Sequence, residues 1–141
     1  RWYATIRLMT IVWESRYETG VAEVDEDHRR LVALINELDA VLEAGGDLMR
    51  VGMIIDALID YTHYHFSREE ALMAGAGYDE AGDHAISHSQ FGHFLGGLVG
   101  SCMVQPSREA AARVRDYLQE WLMDHILVED MKFVAVLGAV A

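Results

Sequence analysis

The sequence predicts an all-α fold: an up-down-up-down four-helix bundle behind an N-terminal arm. Three observations predict it. Breaker clusters are few, with a single proline, Pro106, and the groups Gly45-Gly46 and Gly75-Ala76-Gly77 standing like punctuation between long stretches. Apolar residues recur in steps of three and four within four of those stretches, the spacing that keeps side chains on one helical stripe. No two-residue turn signal joins alternating runs, so hairpins are not expected. Four amphipathic helices on short connections bury their stripes against one another in a bundle.

The first twelve residues, RWYATIRLMTIV, mix Arg7 into an apolar run and begin at Arg1. They read as an arm packed on the domain or as the tail of an upstream segment, and the domain proper covers residues 13–141. The first helix is expected from near Asp25, a residue type that caps free amides, to just before Gly45, which suits the left-handed position after a helix end. Its stripe is His28, Leu31, Ile35, Leu38 and Leu42. The second runs from a cap at Asp47 to Ala74, with the stripe Val51, Ile54, Leu58, Thr62, His65, Glu69 and Leu72. The third runs from about Asp79 to Val104 on His84, His88, Phe91, Leu95, Leu98 and Cys102. Pro106 stops it, and Ser107 caps a fourth helix that reaches about Phe133 on Val114, Leu118, Trp121, His125 and Val128.

A chain of 141 residues is one domain with enough length to bury a core. With 52% hydrophobic and 24% charged residues it is not disordered. Twenty-three acids against 11 Lys and Arg give a net charge of -12, which argues against nucleic acid and against an anionic membrane surface as partners. The one cysteine, Cys102, closes no intrachain disulfide, rules out Cys-based zinc fingers, and is expected as a small core residue. No apolar run reaches the roughly 20 residues a bilayer needs, and no secretory segment is visible, so neither membrane insertion nor export is expected and a cytoplasmic location is.

Seven histidines are many for this length, and five of them, His28, His65, His84, His88 and His125, fall on the apolar stripes together with Glu69. Burying an unpaired carboxylate is costly, and a compensating cation removes the cost. A metal supplies it, because neutral imidazole and carboxylate both ligate first-row metals. Positions i and i+4 differ by only about 40° on a helix, so His65 and Glu69 point one way, as do His84 and His88. Each such pair alone is commonplace on helix surfaces; their coincidence on four core stripes carries the argument. His63 and His93 lie on the far sides of their helices and are expected to face solvent. After His125, spacing favours Glu129 at i+4 over Asp130 at i+5, which lies about 140° around an ideal helix.

Four segments together resemble the hemerythrin family, in particular bacterial single-domain hemerythrins, over about Val12 to Phe133: DEDHRRL at 25–31, YTHYHFSREEALM at 61–73, HAISHSQF at 84–91, and WLMDHI at 121–126 followed by Asp130. The resemblance implies two non-haem irons joined through an oxo or hydroxo bridge. His84, His88 and His125 would hold one, His28 and His65 the other, and Glu69 and Asp130 would bridge them, so Asp130 replaces Glu129 on this ground alone. It further implies reversible O2 binding at the less saturated iron, in the manner of a carrier or store and not an enzyme. Phe66, Trp121, Leu122 and Ile126 are candidates for a dry pocket wall, and plain core packing would use them equally. An O2 or redox sensor domain, fused to or associated with a signalling module, is the alternative reading. A di-iron oxidase or peroxidase ranks lower, because no Glu stands three residues before any His as in ferritin-like oxidative sites. A zinc protein ranks lower too, since seven ligands exceed the four of a tetrahedral site. Two departures from the family pattern are Asp27, where Gln is frequent, and Tyr78-Asp79, where Tyr-Pro is common; neither is expected to touch a ligand.

Overall fold

The computed structural model describes residues 10–140, and within them the chain is helical with no strand. A 3-10 turn at Ser15–Tyr17 leads into α1 (Ala22–Glu43), followed by α2 (Leu48–Ala76), α3 (Ala81–Val104), α4 (Arg108–Asp124), a π-helical segment at His125–Asp130, and α5 (Met131–Val140). Backbone angles stay helical through Asp124, His125 and Met131, so α4, the π segment and α5 form one rod. The bundle therefore has four rods, α1 packing on α2 and α4, and α3 on α2 and α4.

Most rod ends follow from the sequence. The Asp47 carboxylate accepts from the Met49 amide at 3.0 Å, and the Ser107 hydroxyl from the Ala110 amide at 3.0 Å, each satisfying a donor the helix cannot use. Gly45 and Gly77 stand at φ 69° and 65°, the left-handed conformation that stops α1 and α2 at little steric cost.

Asp25 is not the cap of α1. The helix begins a turn earlier, at Ala22, and the buried Asp25 carboxylate accepts from Thr19 N and Oγ1, both at 2.7 Å, and from Gly20 N at 3.2 Å. Gly20, at φ 85°, turns the chain so that these donors reach back to the helix. The carboxylate thus secures the incoming loop and sits in the first turn, where negative charge suits the helix dipole. The fourth rod also runs past Phe133 to Val140, because no proline follows and Phe133 is buried with Met73 and Tyr78.

The expected arm at 1–12 lies largely outside the described residues. Ile11 is described: its amide donates to Asn36 Oδ1 at 2.9 Å and its carbonyl accepts from Asn36 Nδ2 at 2.8 Å, fastening this stretch to α1.

The predicted stripes form the core, with drift at their ends. Leu31, Ile35, Leu38, Leu58, Phe91 and Leu118 are buried together, whereas Leu72, Leu98 and Cys102 are half-buried and Met73 and Val99 take the interior. A strict three-four repeat slips by about 20° per heptad against a straight helix, so a stripe read far along its length moves over by one residue. Cys102, expected in the core, consequently sits at its edge. No helix among the described residues is long and apolar enough to cross a membrane.

Candidate metal centre

Each rod delivers side chains to one volume, with Phe133 of the second apolar cluster beside His84. His28 comes from α1, His65 and Glu69 from α2, His84 and His88 from α3, and His125 and Asp130 from the π segment. All seven are buried, none more than 3% exposed. His63 and His93 face solvent, as expected.

The two carboxylates divide their oxygens between two sets of imidazoles. Glu69 Oε1 lies 3.1 Å from His65 Nε2 and 3.6 Å from His28 Nε2. Its Oε2 lies 3.2 Å from His88 Nε2, 3.3 Å from His84 Nε2 and 3.6 Å from His125 Nε2. Asp130 repeats the division: Oδ2 is 2.8 Å from His28 Nε2, while Oδ1 is 2.9 Å from His125 Nε2 and 3.2 Å from His84 Nε2. Ligand atoms of Glu69, His84, His88 and His125 lie within 4.8 Å of one another, and so do those of His28, His65, Glu69 and Asp130.

Few of these short approaches are hydrogen bonds. His28 Nε2, His65 Nε2, Glu69 Oε1 and both Asp130 oxygens are buried without a hydrogen-bond partner, and Nε2 of His88 faces Nε2 of His125 at 3.1 Å. Orphaned buried polar atoms are costly, and five converging on one volume fit a positive ion better than they fit each other. The set is all nitrogen and oxygen, the donors that suit iron, and its two sub-groups share a carboxylate.

The electrostatics agree. Burial alone would raise the Glu69 carboxyl, but the imidazoles of His65, His125 and His28 outweigh it and hold it well below the usual carboxylate range. Asp130, also raised by burial and by Glu69, is brought down to about 2 by His125 and His28. Burial would lower His65, yet Glu69 and Asp27 push it up to about 10. His84 is pushed up to about 9 by Asp130 and Glu69 against the same burial. His88 goes the other way, lowered by burial and by neighbouring His125.

The π segment decides which carboxylate of the last rod takes part. In an i→i+5 helix a turn closes only after more residues than the 3.6 of an α-helix, so the fifth residue on returns to the starting face. Asp130 thereby lies beside His125, and Glu129, favoured by α-helical spacing, turns outward to Lys132 at 3.8 Å.

Aromatic side chains wall the cluster. Phe66 stacks on His88 with ring centroids 3.8 Å apart and planes 4° from parallel, and Trp121 stacks on His125 at 4.3 Å. Phe66, Trp121 and Leu122 line a cavity of about 10 Å³ together with Leu31, Ile35 and Leu58, near the lower limit for one water molecule. Ile126 does not line this cavity; it is fully buried in the same core.

Asp27 corrects an expectation. Its carboxylate does touch a predicted ligand: Oδ2 lies 3.1 Å from His65 Nδ1. Oδ1 accepts from Tyr61 OH at 3.0 Å, and the Arg68 guanidinium stands 3.3 Å from Oδ2. Burial would raise the Asp27 carboxyl, but His65 and the Tyr61 hydroxyl lower it on balance. One signal was available in the sequence: on α1, Asp27 precedes His28 by about 100° of rotation, which swings it sideways toward a neighbouring rod. Which rod, and which nitrogen there, depended on packing. The other departure, at Tyr78-Asp79, serves structure, since Tyr78 packs on Phe133 and its hydroxyl donates to Glu80 at 3.1 Å.

The model of the hemerythrin HHE cation binding domain matches residues 19–137, nearly the whole described chain. The chain belongs to the hemerythrin family. A bacteriohemerythrin of Stenotrophomonas maltophilia is 30% identical over 123 residues, covering 87% of this chain and 78% of that protein. A bacteriohemerythrin of Pseudomonas aeruginosa is 30% identical over 124 residues, 88% of this chain and 79% of its own length. A hemerythrin-like protein of Naegleria gruberi is 32% identical over 127 residues, 89% of this chain and 92% of its own. In this hemerythrin-family chain the buried imidazole–carboxylate cluster is compatible with non-haem iron.

Proposed function

We propose that the chain binds dioxygen reversibly, as a carrier or store, at a pair of non-haem irons. His84, His88 and His125 would hold one ion, His28 and His65 the other, and Glu69 and Asp130 would span both. The observation that carries this reading is the division of oxygens: each carboxylate turns one oxygen to each imidazole group. A bound ferrous pair supplies the electrons that dioxygen needs for reversible capture.

The chain's own residues do the rest. Two imidazoles on one side against three on the other would leave an ion held by His28 and His65 the less saturated of the two. Five imidazoles and only two carboxylates leave a ferrous pair positively charged, which disfavours the strongly oxidising states that carboxylate-rich sites reach. Phe66, Trp121, Leu122 and Ile126 keep the surroundings apolar and exclude water, which protects a bound ligand from proton-assisted loss. These features favour binding over turnover, so we read the chain as a carrier and not an enzyme.

The test is anaerobic loading with Fe(II), metal analysis, and visible spectroscopy with and without oxygen. We expect two irons per chain and an absorption band that appears with oxygen and vanishes when oxygen is removed. Failure to take up iron, or a band that never reverses, would overturn the proposal.

A further inference from the structure

Among the five inward-facing histidines, His65 alone has its outer nitrogen hydrogen-bonded within the protein. Nδ1 of His28, His84, His88 and His125 is buried without a hydrogen-bond partner, whereas His65 Nδ1 meets Asp27 Oδ2 at 3.1 Å. The ring of His65 is therefore held from both edges, since its Nε2 faces Glu69 Oε1 at 3.1 Å on the opposite side. Asp27 is itself fixed. It is 1% exposed, and Tyr61 OH and the Arg68 guanidinium surround it at 3.0 and 3.3 Å. Three donors on one buried carboxylate keep it an anionic acceptor.

We propose that Asp27 is a positioning residue for one ion of the pair: its carboxylate holds the proton on His65 Nδ1, fixes Nε2 as the inward donor, and strengthens that donor. A carboxylate behind a ligating imidazole fixes the tautomer and ring orientation and raises ligand basicity. A neutral amide at the same place would fix orientation but supply no charge. Of the other four imidazoles only His88 has a carboxylate behind it, the half-buried Glu70 at 4.0 Å from Nδ1 and beyond hydrogen-bond reach, so the effect falls on one side. The ion held by His28 and His65 gains a stronger donor, which favours its higher oxidation state, and the ion held by His84, His88 and His125 does not. The inference rests on the two-ion reading above, and its test separates the two.

The experiment compares the wild-type protein with Asp27→Asn, which keeps the shape and removes the charge, and with Asp27→Ala. Fe(II) is loaded anaerobically and withdrawn with a competing chelator, and the reduction potential of the bound iron is measured. We expect one of the two irons to be held roughly 10- to 100-fold more weakly in Asp27→Ala, the second to be unaffected, and the potential to rise in Asp27→Asn. A merely structural role would loosen both ions alike and leave the potential of Asp27→Asn where it was, and either result overturns the proposal. The wild-type protein loaded with Zn(II) gives a readout free of iron: the His65 Nδ1 proton should be resolved by NMR and exchange more slowly than those of the other four ligands. Equal exchange at all five rings overturns the proposal even if a variant fails to fold. Wild-type protein that takes up no iron defeats the two-ion reading, and the zinc measurement then still decides the Asp27–His65 link.

Discussion

Asp130 Oδ1 lies 2.9 Å from Nε2 of His125, five residues upstream on the same rod. Two residues so spaced diverge on an α-helix and meet here only because the six residues His125–Asp130 take the wider π turn. The turn brings a second carboxylate to the two imidazole groups and makes Glu129 a surface residue paired with Lys132.

Asp130→Ala and Glu129→Ala should therefore differ sharply. Glu129→Ala removes an exposed i,i+3 pair and should change stability by no more than about 0.5 kcal/mol, with iron content intact. Asp130→Ala should lower iron content after dialysis. Metal analysis of the two purified variants checks this, and equal iron retention would contradict the role of the π turn.

His65→Ala should cost one iron and leave the rods in place, since the packing of α2 rests on Val51, Ile54, Leu58 and Met73. Far-UV circular dichroism should match the wild type while oxygen-dependent absorption disappears. Persistent reversible oxygen binding would show that His65 is not a ligand.

Phe66→Ala should destabilise the protein by about 3–5 kcal/mol, because Phe66 is buried against Phe91, Trp121 and the stacked ring of His88. Thermal or urea unfolding measures the loss. The same variant admits water beside the cluster, so its oxygen-bound form should decay faster in a timed spectrum.

Chelated and iron-loaded protein should differ in how steeply their stability depends on pH. His65 is raised to about 10 by Glu69 and Asp27, so its stabilisation is complete below the ordinary imidazole value of about 6.5 and is lost as pH climbs through 10. Glu69 and Asp130 are lowered, so their contribution is complete above the ordinary carboxylate range and is lost as pH falls through their depressed values. The melting temperature of chelated protein should thus decline from pH 6.5 to 10. Iron displaces the proton from the inward nitrogen of His65, so the loaded protein should decline less over that range and release its metal on acidification. Melting curves across pH with and without chelator check the sign, and parallel curves would refute it.

Ser107→Ala should cost about 1 kcal/mol, because it frees the Ala110 amide at the start of α4. Chemical denaturation reads this without involving the metal centre.

Local periodicity in the chain determined the four rods, most of their ends, and six inward-facing residues: His28, His65, Glu69, His84, His88 and His125. These were legible because a helix converts spacing directly into direction, and because caps such as Asp47 and Ser107 act within a few residues of themselves. Asp130 could be named only through family resemblance, since α-helical spacing pointed to Glu129. Packing alone decided two things: the π turn and the meeting of Asp27 with His65 across two rods. The physical reason is shared. A change of hydrogen-bond register, or a contact between residues 38 apart in the chain, is settled by which buried polar groups face one another once the rods assemble, and no repeat within a single rod contains that information.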